Sequence, residues 1–186
     1  MFALRKRARK AARVRGLIVV VVFALALGGC SKTTEAPPPT APATAVFTSA
    51  APDQIASSQV SEGGRCSVDS IDRETNNEGW TIHKGASILI SGWILDMDTR
   101  TTSDWAVIRL DTPEGGTHYY VSTRWRGERA DLNDALGKGP GLSKVTFTVT
   151  TTTDVLPTGS YNIVVLHQPS TGVQACNTGK ALMVLQ

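Results

Sequence analysis

The sequence predicts an all-β fold: a single β-sandwich of about seven strands with one short helical turn. Three observations predict it. Apolar and polar residues alternate in short runs from about residue 65 to the C-terminus. Turn-forming clusters separate those runs at roughly the eight- to twelve-residue spacing of sandwich strands. Only one segment has helical character, and it is too short to stand alone in water.

The first strand is expected over Cys66 to Ile71. Ser87 to Met97 follows, with Ile88, Ile90 and Ile94 on one face and Leu89, Trp93 and Leu95 on the other. Apolar residues on both faces place this strand inside the sandwich, covered on most of both sides. Gly92 within it marks a bulge or a close backbone approach. Asp104 to Asp111 and Thr117 to Arg124 flank the turn Pro113-Glu114-Gly115-Gly116 and form a hairpin. Ala130 to Leu136, stopped by Gly137, is the helical candidate. In Ser143 to Thr152, Val145, Phe147 and Val149 point inward and the threonines face water. Leu156-Pro157-Thr158-Gly159 turns into a strand where Tyr161, Ile163 and Val165 alternate with Val164 and Leu166. The last strand runs from Val173 to Leu185 and is broken near Asn177-Thr178-Gly179.

The N-terminus has a different composition. Arg5, Lys6, Arg7, Arg9, Lys10, Arg13 and Arg15 precede an eleven-residue apolar run, Leu17 to Leu27, and then Gly28-Gly29-Cys30. A basic region, a short apolar region and small residues before a cut make a secretory signal peptide. The run falls short of the roughly 20 apolar residues of a transmembrane helix. Leu27-Gly28-Gly29-Cys30 resembles the lipobox of bacterial lipoproteins. That resemblance implies cleavage before Cys30, diacylation of its sulfur and acylation of the new amino group. Ser31 after the cysteine, by the same resemblance, points to the outer membrane facing the periplasm. Domain limits follow: signal peptide 1–29, lipidated cysteine and disordered linker 30–64, sandwich 65–186. The linker is read from its Pro, Ala, Thr and Ser content, which buries too little apolar surface to offset chain ordering.

Removing residues 1–29 takes seven of the 19 basic residues and none of the 16 acidic ones, leaving 12 against 16, a net of −4. A nucleic-acid partner is therefore not expected. Of the three cysteines, Cys30 is assigned to lipid, which leaves Cys66 and Cys176. An even pair in an exported chain is expected to form a disulfide, the other possibility being two buried thiols.

Catalytic groups are sparse. His83, His118 and His167 are scattered without ligand spacing, and no nucleophile elbow, metalloprotease helix or phosphate loop is present. Asp96, Asp98 and Asp104 offer hard oxygen ligands of the kind calcium takes, but without the glycine and terminal glutamate of a calcium loop. No metal and no cofactor is expected. Arg124, Trp125 and Arg126 form the candidate ligand-binding stretch, because an aromatic between guanidinium groups can stack on a sugar or take an anionic glycan. The competing reading packs Trp125 under the loop and pairs the arginines with Glu128 and other acids.

Five segments carry a second resemblance: Cys66 to Asp69, Gly92 to Asp96, Arg129 to Leu132, Leu156 to Tyr161 and Cys176 to Gly179. Together they are similar to a small immunoglobulin-like sandwich module of bacterial envelope proteins. That resemblance supports the sandwich and the disulfide and implies no activity or substrate. The expected function is a membrane-anchored envelope protein whose sandwich binds a partner without catalysis. The alternative is a carbohydrate-binding module for peptidoglycan or surface polysaccharide.

Overall fold

Two β-sheets packed face to face enclose the main core. The computed structural model describes residues 44–96, 103–129, 131–132, 145–169 and 172–186. Those residues fall within one compact unit, Ala41–Gln186. Residues 1–43, Cys30 among them, and Asp98 lie outside them.

The first sheet contains β1 (Ala45–Val46), β9 (Thr146–Thr152), β5 (Ser87–Leu95) and β3 (Arg65–Ile71) in that order, with β8 (Arg124–Gly127) also paired to β9. The second contains β2 (Val60–Glu62), β11 (Val173–Leu185), β10 (Gly159–His167), β6 (Ala106–Asp111) and β7 (His118–Ser122), with β4 (Gly79–His83) also paired to β11. Alternation does what period-two patterning dictates. Ile88, Ile90 and Ile94 of β5, Phe147 and Val149 of β9, and Tyr161, Ile163 and Val165 of β10 all enter one core cluster. Val164 and Leu166 face the opposite side of the second sheet, where Ile55 of a short helix, α1 (Asp53–Ala56), covers them with Val107 and Tyr120.

The expected disulfide is present. Cys66 on β3 and Cys176 on β11 are joined with their Cα atoms 6.1 Å apart, linking one sheet to the other. Gly92 is a close approach: a Cβ there would lie 2.3 Å from the Ser67 carbonyl oxygen of the neighbouring strand. The expected break near Asn177 is a bulge within one continuous strand, where the register against β10 slips between Asn162 and Val164.

Three expectations are corrected. The threonines of β9 do not all face water, because Thr151 continues the inward series of Phe147 and Val149 and is buried. The folded unit begins well before Arg65. Residues 44–64 form β1, α1 and β2, and Phe47 is 1% exposed in the main core. After β1 pairs in parallel with β9, Thr48 exchanges backbone hydrogen bonds with Tyr120 of β7, so this short segment closes both sheets on one side. The complete helix among the described residues is α1. Of the candidate from Ala130 to Leu136, only Asp131 and Leu132 are described, and both are helical.

Phe47→Ala tests the earlier start directly. A buried Phe truncated in a core costs about 3–5 kcal/mol, whereas the same change in a linker costs nothing measurable. We expect the larger loss in urea unfolding of the oxidised protein.

Candidate functional site

The chain passes from β7 in the second sheet to β8 in the first through Thr123. That residue's N–H and hydroxyl both donate to the Ala106 carbonyl, at 3.0 and 2.9 Å, which pins the corner. β8 then pairs with the outer side of β9, placing Arg124 opposite Thr148 and Trp125 opposite Phe147. β1 occupies the other end of the same side, with Ala45 opposite Thr151 and Val46 opposite Thr152. Val149 and Thr150, between the two, pair only with β5. The result is a notch in the sheet edge.

A cleft of about 390 Å³ opens at this notch, lined by Ser122, Arg124, Trp125, Arg126, Thr148 and Thr150 among others. The structure thus brings the three expected ligand-binding residues to one place. It gives them different roles from those of a stacking site. Directly opposed residues share a sheet face, so Trp125 turns inward with Phe147 and packs against the main core. Its Nε1–H is buried and has no acceptor. Arg124 and Arg126 are exposed, and neither forms an ion pair among the described residues. They differ in this from two other arginines. Arg109 binds both Asp111 oxygens at 2.7 and 2.8 Å, and Arg129 binds Asp69 and Asp131. The Arg129 hydrogen bond is the main reason the exposed Asp131 carboxyl is held down to about 2.

The remaining expected residues do not assemble a reaction centre. His83 Nδ1 lies 2.8 Å from the terminal Gln186 oxygen. His118 Nδ1 lies 2.8 Å from Asp111 Oδ1, beside the Arg109 pair. Arg109 and Asp111 border a second cleft of about 560 Å³ on the outer face of the second sheet, which they line together with Glu62 and Asn177. Arg109 and Asp111 are already paired with each other there, and Glu62 adds an acid in no ion pair among the described residues. Asp96 is buried and Asp104 exposed, and no group of three His, Cys, Asp or Glu able to hold a metal occurs among the described residues.

All five motif segments have structural work. Arg129 ties its own segment to the Cys66–Asp69 segment by gripping Asp69. The Tyr161 hydroxyl donates to the Pro157 carbonyl at 2.7 Å, closing the turn before β10. In the last segment, Thr178 Oγ1 donates to the Ile163 carbonyl at 2.7 Å, and Gly179 adopts φ +69° at the bulge. Gly92 supplies the close approach described above. None of these residues lines the notch. Comparison with known proteins finds no matching family model, no matching curated protein and no matching solved structure.

Of the three histidines named from the sequence, His167 is the buried one. His167 ends the inward series of β10, is 0% exposed, and has no hydrogen-bond partner on either ring nitrogen. Burial pushes its pKa below the usual 6.5, opposed by the charge of Asp96. The unfolded chain therefore binds a proton that the folded chain does not between the lowered value and about 6.5. Stability from this residue is fully present above about pH 6.5 and falls as pH drops through that window, by at most about 1.4 kcal/mol per pH unit. His167→Gln should flatten that part of the urea-midpoint profile against pH. An unchanged slope would assign the acid sensitivity to other groups.

Proposed function

We propose that this chain is a tethered, non-enzymatic binding module of the bacterial envelope, held to a membrane through lipid on Cys30. The observation that carries the binding reading is the notch between β1 and β8, where Arg124 and Arg126 stand exposed without ion pairs beside a cleft. The sequence of the N-terminal 30 residues supports the anchor. Two or three acyl chains, each methylene contributing about 0.8 kcal/mol, hold firmly where one does not.

The early start of the folded unit changes what the tether does. Thirteen residues, 31–43, separate Cys30 from Thr44. At 3.3–3.6 Å per residue they reach no more than about 50 Å. A linker running to residue 64 would reach more than twice as far. The module accordingly works close to its membrane.

Two measurements test this reading. Labelled palmitate should enter the wild-type chain and not Cys30→Ser; equal labelling would remove the anchor. A photocrosslinking residue at Thr150, in the notch, should yield a discrete adduct in intact cells, while the same residue at exposed Thr81 on β4 should not. A blank at Thr150, or identical adducts at both positions, would refute a binding role for the notch.

A further inference from the structure

We propose that the notch binds an acidic glycan, gripping an oxyanion on the sugar with Arg124 and Arg126; this rests on reading the notch as the recognition site. Three observations define the ligand. The first is charge. Two guanidinium groups stand two positions apart, on either side of Trp125 in the same short strand, both exposed and free of ion pairs among the described residues. Guanidinium forks match carboxylate and phosphate oxygens in geometry as well as charge. The second is the rest of the lining. Ser122, Thr148 and Thr150 supply hydroxyls, which donate to and accept from the hydroxyls of a sugar. The third is size. The cleft, about 390 Å³, lies in the range of small-ligand pockets, roughly 300–1,000 Å³.

The same gap argues against a peptide strand. Strand addition draws its affinity from a run of main-chain hydrogen bonds along an open edge. Here the open edge is Val149 and Thr150 alone, bounded by β1 and β8. The chain's own preceding residues do not complement the site either. Residues 31–43 carry one base, Lys32, and one acid, Glu35, so they offer two arginines no net charge. Pro42 also lacks the N–H that a strand continuing along this edge would use.

Trp125 enters this site as wall and not as platform. Its ring belongs to the core side of β8, so discrimination falls to charge and hydroxyl geometry and not to stacking. The site should therefore separate acidic from neutral sugars strongly and tolerate differences in ring face.

The test is the detergent-solubilised full chain on a glycan array carrying uronate, sulfate and phosphodiester sugars beside neutral counterparts of the same length. Retention is expected on acidic members only. It should weaken by at least about tenfold in the Arg124→Gln, Arg126→Gln double variant, since each lost charge-assisted hydrogen bond is worth that much. Arg124→Lys with Arg126→Lys should retain part of it. Retention should also fall as salt rises from about 0.05 to about 0.5 M, because exposed charges are screened. A blank array, equal retention of neutral sugars, or a double variant that binds unchanged would overturn the proposal. So would arginine-dependent binding to phosphatidylglycerol vesicles in place of any glycan, which would make the notch a membrane contact. A protein adduct from Thr150 with a blank array would leave the tethered module standing and remove the glycan.

Discussion

The Cys66–Cys176 bond joins β3 of one sheet to β11 of the other, and a second link crosses the same seam. Lys180 reaches from the β11 bulge to donate to the Val68 carbonyl at 2.7 Å, with its ammonium 5.1 Å from the Trp80 ring centre. The bulge makes that reach possible. Gly179 takes the left-handed conformation and Thr178 satisfies the Ile163 carbonyl, so the strand continues while Lys180 is redirected across the seam. On the facing sheet, Gly92 lets β5 approach β3 closely enough that no Cβ would fit. A crosslink spanning 110 residues constrains the unfolded chain by several kcal/mol in the chain-entropy account. It also sets the separation of the sheets, on which the fit of every inward side chain depends.

That seam explains why the alternating strands were legible in the sequence and the flanking ones were not. β5, β9 and β10 declare themselves because each buries one face against the other sheet, and burial imposes period two. β1, β2 and β4 pair in parallel with β9 or β11 at the edges. Their lengths, two to five residues, are too short for a period to show. Phe47 and Ile55 were visible as large apolar residues in a Pro, Ala, Thr and Ser background. Composition averaged over the segment hid the fact that each plugs a core. Thr151 was misread for a related reason. A threonine's type says nothing about its face, and the alternation starting at Val145 placed it inside.

The candidate site was legible in a different and more partial sense. Arg124 and Arg126 stood out as charges around an aromatic. Sequence alone could not orient Trp125, because inward or outward is fixed by its register with Phe147. Nor could it reveal the notch, which exists only because β1 and β8, distant in sequence, stop short of each other on β9. His167 showed in the sequence only as one of three scattered histidines; its depth follows from continuing the inward series of Tyr161, Ile163 and Val165 to the strand's end.

Two exposed arginines at an open sheet edge also have a simpler use. Charges there discourage edge-to-edge pairing with other chains, and two other edge strands, β3 and β7, are engaged in comparable ways. Lys180 and Arg129 engage Val68 and Asp69 of β3, and the Thr48 bridge closes on β7. Edge protection accounts for charge at positions 124 and 126 wherever the side chains point. It does not account for a cleft between them and the hydroxyls of Ser122, Thr148 and Thr150, because a guard needs no cavity. The two uses are compatible, since an edge kept free of other strands by its charges is also one kept open for a small anionic ligand. What separates them is the cleft's chemistry: protection survives in full when arginine is replaced by any charged residue, whereas recognition weakens when the guanidinium geometry or the hydroxyls are lost.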